Sequence, residues 1–132
     1  MRLHKRLLIL LLLAVGAVTG VRAGSQTTES AKTCLPLWSI ENIDILNYQN
    51  IVFRMKNGEN YLNRLAQACP MLDNTRAIMY KTPLNSLCSM DIITVLDNVG
   101  GGFQSLGACG LGKFQPAARE DIQLLKDQKT GK

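Results

Sequence analysis

Cys34, Cys69, Cys88 and Cys109 all follow an N-terminal export signal, and this combination constrains the fold of the chain more than any other feature. An even number of cysteines in a small exported protein is read as a disulfide framework, here two bridges. The signal has three parts. Arg2, Lys5 and Arg6 form a basic head, Leu7 to Val18 is an apolar run of 12 residues, and Val21-Arg22-Ala23 places short side chains before a cut at Gly24. A run that stops at Thr19, Gly20 and Arg22 falls short of the roughly 20 apolar residues of a membrane span, so no permanent membrane anchor is expected. The predicted location is periplasmic or secreted, with Sec-type cleavage after Ala23.

Three connectivities are open to four cysteines. The expected one joins Cys69 to Cys88 around a connecting segment and Cys34 to Cys109, tying the start of the domain to its end. Such loops are worth roughly 3 and 4.5 kcal/mol in the chain-entropy model. A zinc site draws its ligands in close pairs, and separations of 35, 19 and 21 residues argue against one. No C-x-x-C redox pair is present.

The net charge of +5 belongs to the signal. Four of the 15 Lys and Arg lie within residues 1–23, leaving 11 cations against 10 acids in residues 24–132, a net charge of +1. Without a charge excess there is little to gain from phosphate neutralisation, and no nucleic-acid partner is expected. His4, the one histidine, leaves with the signal. Ser-His-Asp and Cys-His catalysis, His-ligated zinc and a histidine pH switch are thereby excluded from the mature chain.

Residues 24–33 (GSQTTESAKT) are small, polar and unpatterned, and read as a flexible leader. Strands are expected at Ile43 to Tyr48, Ile51 to Lys56 and Glu59 to Leu65. Asn57-Gly58 between apolar alternations is a strong hairpin signal. A three-residue loop of Lys56, Asn57 and left-handed Gly58 sets Phe53 opposite Tyr61 and Val52 opposite Leu62. A two-residue loop would mismatch Arg54 with Tyr61 and Val52 with Asn63, so the first register is expected. Cys69-Pro70 marks a turn or helix end. Arg76 to Lys81 resumes the sheet, Pro83 to Ser89 is a connection, and Asp91 to Asp97 has the two-sided apolar pattern of an interior strand. Pro116, early acids Glu120 and Asp121, and Ala118, Ile122 and Leu125 at helical spacing describe a short helix over about 116–128, packed on the sheet.

Asn98 to Gly112 (NVGGGFQSLGACGLG) holds six of the chain's 11 glycines. It is expected to be a mobile loop at Gly100, Gly101 and Gly102, followed by an edge strand near Gly107 to Phe114. Gly107 to Lys113 fits the first seven positions of G-x-x-x-x-G-K, but Phe114 stands where a phosphate loop needs Ser or Thr, and Pro116 follows. Nucleotide binding is rejected on that ground.

Asp91 and Asp97 are six residues apart on one strand, about 20 Å, too far for an acid-base pair at roughly 5–9.5 Å. Trp38, Tyr48, Phe53, Tyr61 and Tyr80 are first of all core material, with a stacking surface as the rival reading. Arg54, Arg64, Arg76 and Lys81 most simply keep a sheet face solvated. No catalytic, cofactor-binding or metal-ligating residue is assigned.

Cys34-Leu35-Pro36, Gly58-x-x-Tyr61-x-x-x-Leu65, Cys69-Pro70-Met71-Leu72, Leu87-Cys88-x-x-Asp91-x-Ile93 and Gly107-x-Cys109-x-Leu111-Gly112-x-Phe114 together resemble a family of small exported proteobacterial proteins of unknown function. The similarity covers about 34–115 and departs at Gly100 to Gly102. It implies a signal peptide and a small disulfide-containing β domain, and it brings no activity.

The expectation is a mainly β chain: one small, antiparallel, barrel-like domain of five to six strands over 34–132, with one C-terminal helix. Its expected role is that of a binding or accessory protein of the cell envelope, engaging an envelope or extracellular protein through a sheet edge or the loop at Gly100, Gly101, Gly102 and Phe103. The rivals are an envelope enzyme using carboxylates or a metal at Asp44, Asp73, Asp91 and Asp97, and a small-molecule carrier with an apolar barrel interior enclosing a cavity above about 300 Å³.

Overall fold

The computed structural model describes residues 30–130, with side chains as far as residue 128. The expected signal peptide and residues 24–29 of the leader lie outside the described residues. The chain is mainly β, in the order β1 (Cys34–Pro36), a 3-10 turn (Leu37–Ser39), β2 (Ile40–Ile45), β3 (Asn50–Met55), β4 (Asn60–Arg64), β5 (Ala77–Tyr80), β6 (Ser86–Cys88), β7 (Ile92–Val99), β8 (Gly102–Gly110), β9 (Phe114–Pro116) and α1 (Arg119–Thr130). These strands form three antiparallel sheets, ordered β2-β3-β4-β9, β5-β7-β8 and β1-β6, rather than a closed barrel. The expected five or six strands correspond to the six longer ones. The other three, β1, β6 and β9, have three residues each, too few to carry an alternation.

β3 and β4 pair as their side chains require, with Phe53 opposite Tyr61 and Val52 opposite Leu62. Gly58 closes the three-residue loop at φ +88°, its N–H donating to the Met55 carbonyl at 2.9 Å, in a left-handed conformation that only glycine adopts without steric cost. Ile51, Phe53 and Met55 point from β3 into the main core, where Leu35, Tyr61, Leu65, Leu72, Leu87, Ile93, Val95, Leu111 and Phe114 join them. Phe53 and Phe114 meet edge to face, with centroids 5.2 Å apart. On the other side of the same sheet, Val52 packs with Leu46 and with Ile122 of α1, so the helix covers that face as expected. The helix starts three residues beyond Pro116, which instead ends β9 opposite Tyr61. A proline at the end of an edge strand loses no ladder hydrogen bond.

The three sheets are stitched by the short strands and by one buried amide. Lys32 and Phe114 exchange backbone hydrogen bonds of 2.8 and 3.0 Å, and Thr33 accepts one from Ser89, so the leader ends earlier than the expected residue 33. Leu35 is then buried opposite Leu87 in the β1–β6 ladder. Asn63 on β4 has no exposed surface; its Nδ2 donates to the Gly112 carbonyl at 2.7 Å and its Oδ1 accepts the Gly112 N–H at 2.8 Å. A Cβ at Gly112 would collide with the Arg64 carbonyl oxygen, so this approach is open to glycine alone.

The disulfides are Cys34–Cys88 and Cys69–Cys109, not the expected Cys69–Cys88 and Cys34–Cys109. Cys34 and Cys88 are direct cross-strand partners in β1–β6, which leaves Cys69, in the turn after β4, to meet Cys109 on β8. Loop entropy ranks pairings by chain length and knows nothing of which strands lie together. Two disulfides suit an oxidising compartment.

Two outcomes check this framework. Non-reducing proteolysis with mass spectrometry should recover peptides joined through Cys34 and Cys88 and through Cys69 and Cys109. Replacing Asn63 by Leu strands both Gly112 backbone groups in the interior and should lower unfolding stability by about 3 kcal/mol in urea titration; a loss below about 0.5 kcal/mol, the usual range of a surface change, would show that the amide holds nothing.

Candidate functional site

The glycine-rich segment, expected to be a loop, is the turn and second strand of a hairpin. β7 and β8 form one long hairpin that turns at Gly100 and Gly101, with φ of +60° and +87°, between paired Val99 and Gly102. Two consecutive positive φ values are what a tight two-residue hairpin turn requires, and Gly-Gly supplies them. The expected edge strand begins at Gly102, five residues before Gly107. Leu106 is the extra residue of a bulge, since Leu96 pairs with Ser105 and Val95 with Gly107.

β7 is the central strand of its sheet, as expected, but only one face is buried. Ile93 and Val95 point into the core; Ile92, on the other face, is 56% exposed. The register places Met79, Ile92, Leu96, Phe103 and Ala108 on that outer face, with Phe103 68% exposed. Among the described residues β8 pairs with β7 alone, so its other edge has no strand partner there, and Gly102 to Leu106 are all exposed.

The carboxylates are structural ties. Arg54 Nε lies 2.7 Å from Asp44 Oδ2 between β3 and β2. Asp91 Oδ2 accepts the Cys88 N–H at 2.6 Å, closing the turn in which Met90 sits at φ +76°. Asp73 and Asp97 flank Arg76: Nη1 pairs with Asp97, while Nε lies 3.4 Å from Asp73 Oδ2 without hydrogen-bond geometry. The Asp97 hydrogen bond holds the Arg76 guanidinium above its ordinary range. Of the four acids considered for catalysis, Asp73 and Asp97 are thus brought together, with a cation between them. Among the described residues, no group of three or more Cys, His, Asp or Glu is placed to hold a metal ion, and no helix is long and apolar enough to span a membrane.

The aromatics are divided. Phe53 and Tyr61 are core, Tyr80 is half-buried, and Trp38 and Tyr48 are exposed. An open groove of about 500 Å³ runs between β2 and β5, where Ile40, Ile43, Ile78 and Tyr80 alternate with the polar Glu41, Asn42 and Arg76. Arg76, Ile43 and Ile45 also line an adjoining hollow of about 450 Å³ that reaches Lys126. Sequence reasoning did not find this groove, because β2 and β5 lie in different sheets and no local pattern brings them together.

No known family, curated protein or solved structure matches the chain.

Glu59, beside the β3–β4 turn, offers a test of the fold's electrostatics. Its carboxylate sits below the usual value of 4.5, chiefly through the Asn57 side chain, then through the Tyr61 hydroxyl, which donates at 3.0 Å, and Lys32, whose ammonium is 3.6 Å away. A lowered folded-state pKa gives stability that is present above pH 4.5 and lost as pH falls through the lower folded value. Denaturant titrations over that range should show wild type losing stability on acidification faster than Glu59→Gln; parallel curves would contradict the network.

Proposed function

We propose that this is an exported, disulfide-bonded binding protein of the cell envelope that recruits a protein partner along the open edge of β8. The observation that supports the reading best is an uncharged edge strand of nine residues, Gly102–Gly110, beside an outer face bearing Phe103 and Ile92. An edge strand offers a row of backbone donors and acceptors to an incoming strand, and proteins that avoid such pairing place lysine, proline or an inward charge there. β8 has none of these; its one edge-protecting feature, the bulge at Leu106, lies beyond the regular stretch Gly102 to Ser105. The rigid sheet behind it, anchored through the Cys69–Cys109 bridge, holds the edge in an extended form and so lowers the entropy lost on binding.

The groove between β2 and β5 supports a second reading, a carrier of small ligands, since its volume of about 500 Å³ is in the range of ligand sites and its lining mixes isoleucines with Glu41, Asn42 and Arg76. It is a trough along two sheet edges rather than the barrel interior that a carrier was expected to use.

A photo-crosslinking residue at position 104 distinguishes them. It should capture a defined envelope protein in the native host, and one at Gln123 on α1 should not. Ser105→Lys, which puts charge on the edge, should weaken that partner at least tenfold while moving the thermal midpoint by no more than about 4 °C. Equal labelling from both positions, or undiminished binding by Ser105→Lys, would reject the edge; a small molecule retained in the native mass spectrum would favour the groove.

A further inference from the structure

We infer that β8 pairs with β8 of a second copy of this chain, antiparallel about a two-fold axis at Gln104, to make a continuous six-stranded sheet from two three-stranded ones. The inference rests on the reading of β8 as a binding edge and names its occupant.

The location of the axis follows from what the strand already does. Its far half is committed: Cys109 is bonded to Cys69, and beyond it Gly112 is held by Asn63. The near half, Gly102 to Leu106, is exposed throughout, and Gln104 is its middle residue. The bulge at Leu106 ends the regular stretch. Pairing about Gln104 therefore uses the whole open segment and nothing that is occupied.

Charge and chemistry favour a second copy. No charged residue and no proline occurs from Asn98 to Gly112, so two identical edges meet without like charges opposite each other. The nearest acid is Asp97, the cross-strand partner of Gln104, and its charge is already taken by Arg76. At the axis Gln104 faces its own mate. A primary amide carries donors and an acceptor, so it is complementary to itself. On the outer face Phe103 falls opposite Ser105 of the second copy, and the two Phe103 rings are diagonal neighbours, within reach of each other. The two copies thus cover each other's most exposed aromatic on this sheet. An isologous contact of this kind closes on itself and does not propagate into a fibre.

The pairing is short, so association belongs to the weak, concentration-dependent class. Sedimentation velocity of the disulfide-intact protein from about 5 to about 500 μM, spanning micromolar Kd values, should show a monomer-dimer equilibrium. Gln104→Lys and Gln104→Glu place like charges at the axis, and each alone should raise Kd at least tenfold. Mixing the two variants should restore dimer as a heterodimer. A wild type that stays monomeric throughout the range overturns the inference, and so does a dimer indifferent to both variants or a mixture that fails to associate. Crosslinking from position 104 to a different envelope protein by a monomeric wild type would leave the edge reading standing and remove only the second copy.

Discussion

The fold depends on a side chain standing in for a strand. Asn63 exchanges two hydrogen bonds with the backbone of Gly112, as a neighbouring residue in a ladder would, and so joins the four-stranded sheet to the segment leaving β8. Neither sheet could bury its inner face alone: Phe53 and Tyr61 on one side need Ile93, Val95 and Leu111 on the other. Leu111 and Phe114 flank Gly112 and carry the core across the passage, and both are buried. The missing Cβ at Gly112 permits this approach, while the Cys69–Cys109 bridge fixes the same passage at its start.

The chain's pattern revealed those parts whose cause is local. Apolar patterning located five of the six longer strands and only the last residues of β8, and matching apolar with apolar selects the β3–β4 register. The helix was legible from Ile122 and Leu125, but its start was misplaced because proline serves equally at a first helical turn and at a strand end, and only the pairing of Pro116 with Tyr61 decides between them. Gly100-Gly101 had a hairpin reading, two residues with positive φ between Val99 and Gly102, that was obscured by the density of glycine around it. The disulfide pairing was beyond local reasoning. It follows from β1 lying against β6, and strands of three residues leave no period to read.

Chemistry-bearing residues proved mostly architectural. Asp44, Asp73, Asp91 and Asp97 each have a partner that fixes a turn or joins two strands, and the buried aromatics fill the core. What remains open among the described residues is geometric: the trough of mixed polarity between the edges of β2 and β5, and the unpaired side of β8. These have one origin. A domain that closes its core with three separate sheets, instead of a barrel, keeps open edges.

The Asn63–Gly112 link is part of the global fold rather than a decoration of it. Native-state hydrogen exchange of the Gly112 amide, whose acceptor is the Asn63 side chain, tests this most directly. This amide should exchange only through global unfolding, with a protection free energy within about 1 kcal/mol of that of Phe53 in the core, while amides at the hairpin tip exchange through local opening. A Gly112 amide that exchanges as fast as those of Gly100 and Gly101 would show that the sheets are held together by something else.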